Sequence, residues 1–257
     1  MLKSKHVNWL FAFLFVTLII LDLNTTLPPV AYIIAFACYV VIQAYGSAVL
    51  AAEFFVPVKW KGPKDSNEIA LTFDDGPVPG STESILQILK TYNTSAAFFC
   101  IGKKVEENQS LVRHIHDSGH LVCNHSYSHK FTFDLQSSAS IFHELENTDR
   151  AIKAAIGMTP VFFRPPYGVT NPMVASAITR GKYITIGWSI RSLDTAIRNR
   201  KKIIRRITRS LKGGDVILLH DHGFTTLEIL PALIEHIRSV GLKIVRIDDL
   251  LKEKAYA

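Results

Sequence analysis

The sequence predicts an α/β domain built on a parallel sheet and preceded by a two-helix membrane hairpin. Three observations predict it. Two long stretches near the start carry no charge, apolar strand-like runs alternate with amphipathic stretches through the remainder, and polar residues recur where those runs end.

The hairpin comes first. Val7 to Leu21 contains no charged residue and neither does Val30 to Ala52, with Asp22, Asn24, Thr25, Thr26, Pro28 and Pro29 between them. About 20 apolar residues cross a bilayer as a helix. The first stretch alone, following Lys3 and Lys5, could be a secretory core, but no small-residue cleavage site closes it and a second span follows at once. An uncleaved pair of transmembrane helices is therefore expected, with residues 1–58 as a multi-pass anchor and membrane lipids as its partner. A hairpin fixes both flanks on one side. Lys3 and Lys5 before it, and Lys59, Lys61 and Lys64 after it, point those flanks to the cytoplasm, since the connector carries only Asp22. These spans also account for a mean hydropathy of +0.19, high for a soluble chain.

Residues 59–67, rich in Lys, Gly, Pro and Asp, read as a linker, and residues 68–257 as one domain long enough to bury a sizeable core. Strand-like runs fall at 69–73, 96–101, 120–123, 161–163, 183–188, 215–219 and 243–247. Helix-like stretches lie between them at 81–92, 103–118, 137–156, 171–181, 198–212 and 226–240. Strand then helix, repeated, is the pattern of a parallel sheet, although periodicity does not say whether it closes into a barrel. Cys38 lies in the second span, and Cys100 and Cys123 could pair only if their strands were neighbours.

The run Ile69 to Pro77 organises the domain. A buried strand ends at Asp74 and Asp75, because Gly76 and Pro77 stop it. Two carboxylates at the mouth of a core repel each other, so a cation or an arginine is expected beside them. His125 and His129 follow the apolar run Leu121-Val122-Cys123, and imidazoles four apart can face one ion if the segment coils. One carboxylate with two histidines would leave room for water, as catalytic zinc sites do. A rival cluster, His114, His116 and His120, reads as solvated surface. The prolines of Arg164-Pro165-Pro166-Tyr167-Gly168 hold a stiff loop in which the arginine can orient a carboxylate and the Tyr167 N–H can face an oxyanion. Trp188, Arg191 and Asp194 come next, then Leu218 and His220; a nearby acid such as Asp194 would keep His220 protonated as a general acid. Asp221 and His222 read as loop residues.

Taken in order, Thr72 to Pro77, His125 with His129, Arg164 to Gly168, and Leu218 with His220 resemble the successive motifs of the NodB-type polysaccharide deacetylases, carbohydrate esterase family 4. The resemblance runs from about Ala70 to about Leu250. It implies a distorted (β/α) barrel and metal-dependent removal of acetyl groups from N-acetylated sugars, with zinc the expected divalent ion. It implies Asp74 as base, Asp75, His125 and His129 as metal ligands, and Arg164 as the group steadying the base. Tyr167 becomes the backbone oxyanion donor, Leu218 a wall of the acetyl pocket with Trp188 also on the substrate side, and His220 the acid tuned by Asp194. One motif departs: where many members have Asp-x-x-Asp-Trp, this chain has Arg191-Ser192-Leu193-Asp194-Thr195. The family leans toward an extracytoplasmic domain and the lysine flanks toward a cytoplasmic one, so the side stays open.

The formal net charge is +7. Much of it sits in Arg198, Arg200, Lys201, Lys202, Arg205, Arg206, Arg209 and Lys212, with Ile203, Ile204, Ile207 and Leu211 forming an apolar face. The segment reads as a packed helix with a basic exterior, and beside a membrane hairpin that exterior could meet anionic lipid headgroups or a lipid-linked phosphate. No nucleic-acid motif accompanies the charge, so nucleic acid is not an expected partner. Three functions fit: deacetylation of an N-acetylated glycan or lipid-linked saccharide, silent saccharide binding on the same barrel, or hydrolysis of a non-sugar amide or imide.

Overall fold

Two apolar helices open the computed structural model, which describes residues 2–222 and 224–257. α1 (Ser4–Thr25) and α2 (Pro29–Ala48) have mean hydropathies of 1.9 and 1.7 and are long and apolar enough to cross a membrane. They pack on each other, with the Phe11 and Tyr39 rings 5.3 Å apart and Asn8 Oδ1 accepting from Gln43 Nε2 at 2.9 Å. Both ends of the hairpin are tied to the domain. Ser4 N donates to the Phe54 carbonyl at 3.0 Å, and Thr170 N donates to the Ser47 carbonyl at 3.0 Å.

The chain between hairpin and sheet is not free. Leu50, Val56 and Val58 are buried with Phe133, Ile141, Phe163 and Val174, while Lys59 pairs with Ile186 and Lys61 with Asp215.

The strands are β1 (Glu68–Gly76), β2 (Ala97–Cys100), β3 (Leu121–Asn124), β4 (Phe162–Phe163), β5 (Ile184–Thr185), β6 (Ile190–Arg191), β7 (Val216–His220) and β8 (Lys243–Ile244). Their order is β5-β4-β3-β2-β1-β7-β6, all parallel, with β8 on the first residues of β1. The sheet curls into a half-barrel, so the (β/α) expectation holds. Side chains alternate along each strand. Ile69, Leu71 and Phe73 of β1 face a core shared with the helices, while Ala70 faces the interior of the curl with Ala97, Leu121, Phe162 and Val216. Burial on both faces is why β1 reads as one unbroken apolar run.

The helices are α3 (Ser81–Thr91), α4 (Gly102–Glu107), α5 (Gln109–Asp117), α6 (Ser138–Ile156), α7 (Pro172–Gly181), α8 (Arg200–Thr208), α9 (Phe224–Ser239) and α10 (Ile247–Leu251). α6 starts where the Ser137 hydroxyl accepts from Ser140 N, and ends at Gly157 with φ of 76°. Several elements differ from the sequence expectation. The stretch 103–118 is two helices because Asn108 leaves helical geometry at φ −136° and ψ 44°. The run 183–188 supplies only β5, with β6 a separate strand, and 243–247 ends early because α10 begins at Ile247. α8 is shorter than 198–212, but Ile203 and Ile207 are buried beneath its basic exterior as expected. β2 and β3 are neighbours, yet Cys100 faces the helices and Cys123 the interior, so both thiols are free.

Candidate active site

Strand parity delivers the site. In β1 the interior positions are Ala70, Thr72 and Asp74; in β7 they are Val216, Leu218 and His220, with Asp74 and His220 in register. His125 keeps the interior parity of Leu121 and Cys123 just past β3. These strand ends open on a cavity of about 180 Å³ lined by Asp74, Asp75, His125, His129, Tyr167, Trp188, Leu218 and His220.

Simple alternation would send Asp75 to the opposite face from Asp74. A bulge between Asp74 and Gly76, with Asp75 at φ 73°, turns it back so that both carboxylates reach the cavity. Arg164 answers the charge of Asp74. Its Nη1 donates to Asp74 Oδ1 at 2.6 Å and to Thr72 Oγ1 at 2.9 Å, Nη2 donates to the Gly187 carbonyl at 2.9 Å, and the guanidinium lies 4.0 Å over the Phe99 ring. Arg164 is 0% exposed and Asp74 4%, so the two form a buried ion pair hydrogen-bonded through Oδ1.

His125 Nδ1 lies 2.8 Å from the Arg164 carbonyl oxygen, which fixes the proton on Nδ1 and leaves the Nε2 lone pair facing the cavity. That Nε2 is 3.4 Å from Asp75 Oδ1, and His129 Nε2 is 3.3 Å from the same oxygen. The three donor atoms all lie within 4.8 Å of one another. Ligands about 2.0–2.1 Å from a tetrahedral zinc stand about 3.3–3.4 Å apart, so the donor set and its spacing fit a divalent ion. Burial, with the neighbouring His125, lowers the His129 pKa to about 4 despite Asp75 and Asp74, which keeps its imidazole neutral and able to ligate. Burial opposes ionisation of Asp75, but a hydrogen bond with His125 and the positive charge that His125, His129 and His220 carry when protonated outweigh it and hold its carboxyl well below the usual range. Glu144 of α6 fixes the loop between the histidines, accepting from Tyr127 N at 3.1 Å, Ser128 N at 2.7 Å and Ser128 Oγ at 2.8 Å.

Across the cavity His220 Nδ1 is 2.8 Å from Asp194 Oδ1. Asp194 also accepts from Ser192 Oγ at 2.8 Å, from Thr226 Oγ1 at 2.6 Å and from His220 N at 2.8 Å. Burial would lower the His220 pKa, but the hydrogen bond and charge of Asp194 outweigh it and raise it. Tyr167 stands at φ 59°, and among the described residues its N–H has no acceptor. Gly168, at φ 72°, lets the loop pass under Trp188, whose ring occupies the space a Cβ would need. The structure brings Asp74, Asp75, His125, His129, Tyr167, Trp188, Leu218 and His220 to one cavity, with Arg164 and Asp194 behind it on Asp74 and His220. The rival histidines 114, 116 and 120 lie apart from it, and His120 is buried rather than solvated, its Nδ1 accepting from Ala96 N at 3.2 Å.

Two residues read as loop residues belong to this region. His222 Nδ1 is 3.4 Å from Asp75 Oδ2. Asp221 is buried behind the site, donating its N–H to the Asp74 carbonyl at 3.0 Å and accepting from Thr82 Oγ1 at 2.6 Å; burial pushes its carboxyl up to about 7. The parity of β7 signals neither, since both lie past its end.

The polysaccharide deacetylase family profile matches residues 61–184. A peptidoglycan-N-acetylglucosamine deacetylase of Bacillus cereus is 32% identical over 210 residues, covering 77% of this chain and 94% of that protein. The peptidoglycan-N-acetylglucosamine deacetylase PgdA of Listeria monocytogenes is 35% identical over 191 residues, 74% of this chain, and the match spans only 40% of that longer protein. A Bacillus anthracis pseudoenzyme of carbohydrate esterase family 4 has a TM-score of 0.72 at 29% identity, covering 77% of this chain and 70% of that one. Activity on this fold therefore follows from the side chains and not from the fold itself.

Proposed function

Because this chain belongs to the NodB-type polysaccharide deacetylases, carbohydrate esterase family 4, we propose that it hydrolyses the acetamide of an N-acetylated amino sugar in a glycan or lipid-linked saccharide. The products are acetate and a free amine. One observation carries the reading: the Asp74–Arg164 pair, the Asp75, His125 and His129 donors and the His220–Asp194 pair converge on one cavity.

Asp75, His125 and His129 would hold a divalent ion, with zinc proposed, and its charge would supply Lewis acidity to the acetamide carbonyl and the attacking water. Arg164 occupies Oδ1 of Asp74, which leaves Oδ2 to take a proton from that water as the new C–O bond forms. The Tyr167 N–H donates to the oxygen that gains charge. His220, kept protonated by Asp194, gives its proton to the nitrogen as the C–N bond breaks. Leu218 and Trp188 flank the acetyl methyl. The two apolar helices are proposed to anchor the domain to a membrane.

The test is acetate release from N-acetylglucosamine oligomers by the full chain in detergent. Asp74→Asn is expected to lower kcat by at least about 100-fold while zinc remains bound. Chelation should abolish turnover and added zinc restore it. Retained turnover in Asp74→Asn would refute the assigned base. Oligomer binding without any release would make the chain a saccharide-binding domain, and release from a non-sugar amide or imide alone would move the chemistry to that substrate class.

A further inference from the structure

Among the described residues, the cavity holds a guanidinium that deacetylation does not use. Arg191, at the end of β6, lines it beside Trp188, with its guanidinium carbon 5.7 Å from the indole ring centroid. Arg191 is exposed, and among the described residues it forms no ion pair. The nearby acids are engaged elsewhere. Asp74 is held by Arg164, Asp75 faces three imidazoles, Asp194 is bonded to His220, Ser192 and Thr226, and Asp221 is bonded to Thr82 behind the turn at Gly76.

A second arginine holds the backbone of Arg191. Arg206 of α8 donates its Nε–H to the Arg191 carbonyl oxygen at 2.8 Å, is itself exposed, and likewise forms no ion pair among the described residues. An unpaired guanidinium at the rim of a cleft raises the local potential, and an arriving anion relieves it. Guanidinium forks match the planar geometry of carboxylates and phosphates.

We propose that Arg191, supported by Arg206, forms an anion-binding subsite beside the acetyl cavity, so that the chain prefers glycans carrying a negative group next to the N-acetylated sugar. The inference rests on the deacetylase reading of the cavity. The anion is either a carboxylate borne by the glycan or a phosphate joining it to lipid.

The test uses the full chain in detergent micelles, as wild type, Arg191→Glu and, in case that variant folds poorly, Arg191→Gln. Three substrates are compared: a neutral N-acetylglucosamine tetramer, a tetramer alternating with muramic acid, and an N-acetylglucosamine oligomer carrying a lipid phosphate. The measured quantity is the ratio of kcat/KM for each acidic substrate to that for the neutral one. Equilibrium binding to the Asp74→Asn chain gives the same ratio without turnover. Arg191→Glu is expected to lower the ratio by about 10-fold or more, chiefly through KM, and Arg191→Gln by less. The acidic substrate whose ratio falls identifies the anion. An unchanged ratio for both, or no wild-type preference over the neutral tetramer, overturns the subsite. If no substrate is hydrolysed but the binding ratio falls, the subsite stands and the deacetylase reading fails.

Discussion

At His220, burial and charge pull in opposite directions. Desolvation favours the neutral imidazole, while the 2.8 Å bond to Asp194, with Asp74 and Asp75 beyond, favours the cation and prevails. Asp194 is the mirror case: burial raises it, and His220, Thr226 and Ser192 bring it below its ordinary value. A general acid must be protonated, so a raised pKa extends activity to higher pH. Asp194→Asn keeps the shape and removes the charge. It is expected to move the alkaline limb of the kcat/KM profile to lower pH, with a larger loss at pH 8 than at pH 6; an unmoved limb would refute the tuning. The stability contribution follows the same signs. It is fully present between the unfolded values of 3.8 and 6.5, is lost as pH rises through the raised His220 pKa, and is lost as pH falls through the depressed Asp194 pKa. The chemistry of this pair was legible in the sequence as a histidine at a strand end with an acid nearby. Ser192 and Thr226 were not, because ordinary hydroxyls become carboxylate partners only once the loops are placed.

The strands carry the legible part of the site at the next scale. Alternation along β1, β3 and β7 sends Asp74, His125, Leu218 and His220 to one side, and that alternation is a property of the sequence. What alternation cannot reveal is departure from it. Asp75, Ser126, His129, Tyr167 and Leu193 all have positive φ, and each such non-glycine residue costs roughly 1–3 kcal/mol that surrounding contacts must offset. Glu144 is one such contact. It reaches from α6 to hold Tyr127 and Ser128, and so fixes the turn between the two imidazoles without touching either. Glu144→Ala is expected to weaken zinc affinity by about 10-fold or more, read by chelator competition, with the fold retained in circular dichroism. An affinity equal to wild type would show that the turn holds its shape without α6. The same limit explains α4 and α5, where apolar spacing runs on through Asn108 while the backbone does not.

Over the whole molecule, the boundary between hairpin and domain lies in the packing rather than in the composition. The charge-free stretch ends at Ala52 and the linker-like residues begin at Lys59, yet Leu50, Val56 and Val58 fill the domain core against Phe133, Phe163 and Val174. Burying each such side chain contributes roughly 1.5–3 kcal/mol, an upper range because unfolded chains already bury some apolar surface. Losing three of them removes a large part of the roughly 5–15 kcal/mol that holds a domain folded. A chain beginning at Lys59 is therefore expected to melt more than about 10 °C below one beginning at Val49, or to aggregate. The chain from Val49 exposes Phe54, whose cover is Val7 and Phe11 of α1, but keeps the core contacts. Equal melting temperatures, measured in the same buffer, would mean that residues 49–58 belong energetically to the hairpin. Both truncations carry a functional readout as well. Thr170, which the hairpin holds through Ser47, lies three residues beyond Tyr167, so freeing that loop should raise KM for the N-acetyl substrate even where the domain stays folded.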